Sequence, residues 1–235
     1  MPQTLSIPRR FNGPLGSGHG GYCSGVIAEF AEGQPEVTLR SPVPLDTELD
    51  VSLEDDGSAR VMDRETLVAE AQPAAVLELE VPEPVSVDEA RLAKSRYRGK
   101  PDDLFGRCFV CGRGREDALG VFAGAVEGRD VVASPWTPPD WAADDAGHVL
   151  PEFVWAVLDC PTYFATHMEG EMSAAVLARI SAEVLGPVEI GAEHVVIGWP
   201  IEVDGSKHHA GSAVFSAAGE LLARARALMI EPLQA

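Results

Sequence analysis

Basic residues are scarce in this chain. Of 235 residues, 18 are Lys or Arg against 37 Asp or Glu, a net charge of −19. A surface of that sign repels phosphate backbones and anionic lipid, which argues against nucleic acid and membrane surfaces as partners. Long apolar runs are missing too, and no stretch approaches the roughly 18 residues that a membrane helix needs. No apolar run follows the charges at Arg9 and Arg10, so no secretory signal is expected. Four cysteines are too few for a disulfide scaffold in a chain of this length. With 46% apolar and 23% charged residues, material for a core is ample and disorder is not indicated. The expectation is a soluble cytoplasmic protein of one large domain or two of about 110 to 120 residues.

Strand patterns dominate what is present. Val37-Thr38-Leu39-Arg40 and Glu48-Leu49-Asp50-Val51-Ser52-Leu53 alternate apolar and polar side chains. Arg60-Val61-Met62 and Thr66-Leu67-Val68-Ala69-Glu70-Ala71 follow a turn at Asp55-Asp56-Gly57. Period-two alternation punctuated by Gly, Pro and Asp is the pattern of an antiparallel meander. The same layout returns near the C-terminus: Val195-Val196-Ile197 and Ile201-Glu202-Val203, a turn at Asp204-Gly205, and Gly211-Ser212-Ala213-Val214-Phe215. Another turn at Ala218-Gly219 leads into the final strand from Glu220.

The two meanders resemble each other, with Leu67-Val68-Ala69-Glu70-Ala71 matching Leu221-Leu222-Ala223-Arg224-Ala225. Each follows one short apolar helix candidate, over residues 20–31 and 151–167. The class is therefore α+β, as an internal repeat of one helix plus one antiparallel sheet. The units are placed at residues 1–85 and 105–235, with a linker at 86–104 where Pro, Glu and basic residues replace the strand pattern. Residues 119–133 and 174–188 read as additional strands of the second unit.

Two helix segments carry chemistry. Phe153-Val154-Trp155-Ala156-Val157-Leu158 is apolar on every face, as in a helix wrapped by protein, and Pro151 suits its first turn. Asp159 ends that run. A buried, unpaired carboxylate costs several kcal/mol, so it is paired, neutral or facing a cavity. Either it orients backbone near Pro161, or it serves as base or nucleophile in a dry pocket. The other segment, Gly16-Ser17-Gly18-His19-Gly20-Gly21, opens directly into an apolar run. Glycines at a helix start let a substrate approach bare N–H groups that stabilise an oxyanion; a flexible turn is the plainer alternative. With no Gly-Lys-Ser/Thr and no dinucleotide spacing, a nucleotide-phosphate loop is disfavoured.

His19-Gly20-Gly21 resembles the His-Gly-Gly signature of the hotdog-fold acyl-CoA thioesterases, in which an antiparallel sheet wraps one long helix. In the phenylacetyl-CoA-type branch an acid stands nine positions after that His; here the ninth residue is Ala28, and Glu29 follows it. Cys108-Phe109-Val110-Cys111-Gly112 followed by Ala118-Leu119-Gly120 is similar to another signature of these enzymes, without the Asn usually found between its parts. Phe153 to Asp159 resembles the helix that ends in the family acid, with Leu150 in the place of the His. The resemblance implies two tandem hotdog units packed like the usual homodimer. It also implies a hydrolase of small-molecule acyl thioesters, with coenzyme A entering as part of the substrate and no separate cofactor. Asp159 would be the acid and Glu29 a second carboxylate. His19 would position the substrate, Gly20 and Gly21 would polarise the carbonyl, and Trp155 would line the substrate site. A non-catalytic acyl-ligand binding protein and a hydratase or dehydratase are the alternatives. For the last, His148 lies too far from Asp159 along one helix to pair with it.

Cys108 and Cys111 form half of a zinc pattern, but Cys23 and Cys160 are isolated in sequence and His208-His209 lie in a strand. Buried apolar thiols are the expected state, with no metal. Eight of the 18 basic residues fall within residues 91–115, among them Arg113 and Arg115. They form either a solvated helix surface or a cradle for coenzyme A phosphates. A homodimer of the whole chain is expected, through apolar sheet surface or this basic island.

Overall fold

A computed structural model describes residues 3–13, 16–172 and 174–231. Alternating side chains become strands wherever a turn residue lets the chain reverse. In β3 (Glu48–Leu53), Leu49 and Val51 point inward between exposed neighbours. The hairpin turns use left-handed residues at the positions foreseen, including Gly205 (φ 56°) and Gly219 (φ 85°), where a side chain would be strained.

The first half contributes β1 (Gln3–Ser6), β2 (Pro35–Leu39), β3, β4 (Ala59–Asp63) and β5 (Thr66–Pro73). The second contributes β6 (Gly124–Ala125), β7 (Val132–Trp136), β8 (Val176–Val184), β9 (His194–Asp204), β10 (Lys207–Ser216) and β11 (Leu221–Ile230). All lie in one 11-stranded sheet of order β1-β3-β4-β5-β2-β8-β11-β10-β9-β7-β6. Antiparallel pairing of β2 with β8, centred on Val37 opposite Ile180, fuses the halves. Read inward from either edge, 1-3-4-5-2 is answered by 7-9-10-11-8. This corrects the reading of additional strands: β7 and β8 are the counterparts of β1 and β2, and β6 alone has no partner in the first half. The likeness of β5 to β11 seen in sequence falls at equivalent places in the order.

Helices α1 (Gly20–Ala28) and α3 (Pro151–Ala165) are enclosed by this sheet and its loops, and α3 is buried from Phe153 to Ala165. They run antiparallel in close contact because glycine faces the crossing. A Cβ on Gly21 would lie 2.6 Å from Trp155 O and from Asp159 Cβ, and one on Gly25 would lie 2.6 Å from Glu152 Cα. Pro161 interrupts the α3 hydrogen-bond ladder just after Asp159. Hydroxyls attend the carbonyls there: Thr162 Oγ1 donates to Asp159 O and Ser212 Oγ to Leu158 O, both at 2.6 Å.

The segment expected as a linker carries α2 (Val87–Lys94), started by a reciprocal Ser86–Glu89 capping box. Its Ala90 and Ala93 dock on the outer sheet face against Ala133, Ile197, Trp199 and Phe215, forming a second, smaller core.

Candidate active site

The N-terminus of α1 and the middle of α3 meet at one place. His19 caps α1, its Nδ1 accepting from Tyr22 N–H at 3.2 Å. The Gly21 amide faces α3. Gly21 N–H donates to Asp159 Oδ2 at 2.7 Å, and the same oxygen lies 3.6 Å from His19 Nε2. Among the described residues, none accepts from Gly20 N–H. A Cβ on Gly20 would lie 2.9 Å from Leu177 and 3.2 Å from Asp159 Oδ2, so any side chain here would crowd both. The structure thus brings His19, Gly20, Gly21 and Asp159 together, with the acid supplied by the other half of the chain.

His19, Gly20 and Asp159 line a cavity of about 510 Å³ whose walls include Val43, Phe105, Tyr163, Phe164, Leu177 and Met229. Its size and mostly apolar lining suit a small organic group fixed by a few polar contacts. Burial pushes the Asp159 carboxyl above the ordinary carboxylate range, opposed by His19 and by the Gly21 N–H. Burial pulls the His19 imidazole down, but its interactions with Cys108 and with Asp159 outweigh it and its pKa is raised. Desolvation wins at the acid and charge pairing wins at the base.

An equivalent place exists at the other end of the helix pair. The 3-10 turn Arg9–Phe11 and the Asn12–Gly18 bridge before α1 recur at the same interval as the turn Asp140–Ala142 and the Ala143–Val149 bridge before α3. In that register Leu150 replaces His19, Pro151 replaces Gly20 and Glu152 replaces Gly21, while Ala28 replaces Asp159. Proline has no N–H to offer and alanine no carboxylate. Glu29 lies here, exposed at the far end of α1; burial, and to a lesser degree the charge of Glu29, raises the pKa of half-buried Glu152, whose Oε2 is buried without a hydrogen-bond partner. As the second carboxylate expected, Glu29 therefore lies away from Gly20 and Gly21 and outside the cavity lining.

Other expected site residues also lie elsewhere. Trp155 is buried in the α1–α3 crossing against Gly21 and Gly25 and does not line the cavity. Arg113 stacks over the rings of Tyr97 and Phe122. Arg115 pairs with Asp117 at 2.7 Å and donates to Asn12 Oδ1 at 2.8 Å. Neither reaches the cavity, and much of the basic island is likewise engaged: Arg91 with Glu193, Arg96 with Glu127, Arg98 with the carbonyls of His167 and Gly170. Arg40, overlooked in the sequence because it ends a strand with no charge cluster around it, lines the cavity while paired to Glu70 at 2.8 Å. His148 lies 3.8 Å from Asp144 and plays no part in the cavity.

Cysteine placement departs furthest from expectation. Cys160, isolated in sequence, stands 3.3 Å from His19 Nε2 and 3.8 Å from Cys108 Sγ. Cys111 joins them on the same cavity wall.

No protein-family model matches the chain, and no curated protein gives a significant sequence match. Solved structures do resemble it over nearly its whole length. A TesB protein of Mycobacterium avium subsp. paratuberculosis aligns with 97% of this chain and 92% of its own, at 16% identity and TM-score 0.60. A protein of unknown function with the hotdog fold from Alicyclobacillus acidocaldarius covers 99% and 93%, at 11% identity and TM-score 0.62. A provisionally assigned thioesterase of Novosphingobium aromaticivorans covers 97% and 94%, at 12% identity and TM-score 0.65. At such identities the likeness is one of architecture: the chain has the hotdog fold, in tandem.

Proposed function

We propose that this tandem hotdog chain is a cytoplasmic hydrolase of small-molecule acyl thioesters, with acyl-CoA as the expected substrate. One observation carries the reading: a buried carboxylate is held by Gly21 N–H beside the open amide of Gly20, on the wall of an apolar cavity. The thioesterase names among the structural neighbours support it at the level of fold. Asp159 takes a proton from water, and the resulting hydroxide attacks the thioester carbonyl. The charge that develops on the carbonyl oxygen is met by Gly20 N–H and the positive end of α1. The C–S bond breaks, and the proton on Asp159 passes to the departing thiolate, leaving a carboxylic acid and a thiol. Direct attack by the Asp159 carboxylate, followed by hydrolysis of the anhydride, uses the same groups. Arg40 replaces Arg113 and Arg115 as the cation assigned to the coenzyme phosphates, since it alone of the three borders the cavity.

Thiol release from a panel of acyl-CoA esters, followed with a thiol-reactive dye, tests the proposal. Tight binding of acyl-CoA with no thiol released above the buffer rate would sink it and leave a binding protein. A specific observation supports a second reading, as a hydratase or dehydratase: Asp159 has a histidine partner after all, in His19 from the opposite half. Loss of enoyl-thioester absorbance without thiol release would select that chemistry. We also propose that the whole chain pairs as a homodimer. Sedimentation at low and high salt separates an apolar contact, which persists, from a charged one, which weakens.

A further inference from the structure

Three cysteines and one histidine, drawn from three distant parts of the chain, border one cavity wall. Cys108 and Cys111 come from the turn preceding β6, Cys160 from α3, and His19 from the cap of α1. All four are buried and all four cysteines of the chain are free thiols. The ligand atoms of His19, Cys108 and Cys160 lie within 4.8 Å of one another. Cys111 lies outside that trio but comes from the same Cys-x-x-Cys turn as Cys108 and borders the same cavity wall.

Two edges of the trio match those of a coordination shell. Tetrahedral zinc with Zn–S near 2.3 Å and Zn–N near 2.0–2.1 Å has S···S edges of about 3.8 Å and S···N edges of about 3.5 Å. Here Cys108 Sγ to Cys160 Sγ is 3.8 Å, and His19 Nε2 to Cys160 Sγ is 3.3 Å. The turn itself is built to hold a thiolate. Val110 N–H points at Cys108 Sγ at 3.4 Å, and Gly112 N–H closes on Cys108 O at 2.9 Å. A Cβ on Gly112 would lie 2.5 Å from Cys108 O, so Cys-x-x-Cys must be followed by glycine for this turn to form. A backbone N–H aimed at sulfur favours its ionised form.

We propose that His19, Cys108 and Cys160, joined by Cys111 turning in from the same Cys-x-x-Cys turn as fourth ligand, form a closed, tetrahedral site for a zinc-class divalent cation, which ties the turn at residues 108–111 to both buried helices. Thiolate and imidazole donors in this ratio select zinc over oxygen-seeking cations such as magnesium and calcium. The cavity supplies the entry path, because all four side chains border it. Binding releases the thiol protons, and with Nε2 on the metal the imidazole proton sits on Nδ1. The 3.2 Å contact from Tyr22 N–H to Nδ1 is then given up, so the cation takes over from the helix cap as the group that fixes the ring. This site shares His19 and the cavity wall with the thioester reading but uses neither Gly20, Gly21 nor Asp159, and its metal-binding test does not depend on turnover.

The test is elemental analysis of the full chain purified under reducing conditions without chelator, followed by metal exchange with cobalt. The expected result is roughly one zinc per chain, with four protein ligands and no exchangeable coordination position. Cobalt substitution should give the intense visible bands of a tetrahedral site and a near-ultraviolet thiolate-to-cobalt band. Cys111→Ser and Cys160→Ser should each lose most of the cobalt signal, and His19→Ala should shift it. Circular dichroism identifies any variant that has failed to fold, and the wild-type cobalt spectrum decides the question without variants. Chelator should lower the melting temperature of the wild-type chain and leave that of Cys160→Ser unchanged. A chain that contains no metal, gives no thiolate-to-cobalt band and titrates for four free thiols would overturn the site. A cobalt spectrum indifferent to His19→Ala would overturn the ligand set.

Discussion

The two ends of the α1–α3 pair occupy equivalent positions in the repeat and differ in nearly every group that could do chemistry. At one end stand His19, an open Gly20 amide and Asp159; at the other stand Leu150, Pro151 and Ala28, with Glu29 and Glu152 as its carboxylates. The backbone frame is shared, down to the 3-10 turn and the isolated bridge that precede each helix. Fold symmetry therefore does not dictate site symmetry. An oxyanion site needs one free N–H and one carboxylate in register, and a single proline or alanine removes either.

The sharpest way to test this contrast is to remove carboxylates at both ends. Asp159→Asn should lower thiol release by about 10²- to 10⁴-fold, the range for a lost general base, whereas Glu152→Gln and Glu29→Gln should leave kcat unchanged in the same assay. Equal losses from both ends would mean that the second site works.

Next come the crossing glycines. Gly21→Ala and Gly25→Ala each force a Cβ to within 2.6 Å of α3. Each should destabilise the chain by about 1–3 kcal/mol, as overpacking does. Urea denaturation checks that near-equality. Only Gly21→Ala should also reduce kcat, since it alone displaces the donor to Asp159.

A smaller effect follows from burial of the acid. The folded-state pKa of Asp159 is raised above its unfolded value, so the folded chain holds a proton there that the unfolded chain has released. Stability from this group is present below the ordinary Asp value and is lost as pH rises through the raised one. Asp159→Asn should therefore gain melting temperature over wild type as pH rises through that window, and a gain that shrinks with pH would contradict the direction of the shift. Activity should rise with pH over the same window, because the base works as carboxylate. Smallest of all, Arg113→Ala and Arg115→Ala should leave the KM for acyl-CoA nearly unchanged, while Arg40→Ala raises it.

Sequence periodicity made the strands, the two helices and the repeat legible, because period-two alternation and Gly or Asp turns are local signals. Asp159 stood out because a carboxylate ending an all-apolar run must be accounted for. Its partner in the other half was suggested by the complementary gaps at Ala28 and Leu150. Other features depend on tertiary closure. β7 and β8 read as additional because β1, only four residues long, carries too little alternation to mark the start of its meander. α2 looked like linker because only Ala90 and Ala93 of its eight residues are buried. Cys160 stayed invisible as a neighbour of Cys108 because 52 residues separate them. The basic island was visible as composition, but whether a cation faces solvent, a ring or a cavity is decided by its neighbours in space.

Pairing of β2 with β8 inside one chain has a consequence for counting. In an assembly of identical subunits, any change at a site is written twice, and ligands titrate at two per pair. Here the join is covalent, so each end was free to take its own residues. A ligand of the complete end should saturate at one equivalent per polypeptide. Occupancy measured by calorimetry should then follow a simple hyperbola, with no second, weaker step from the same chain.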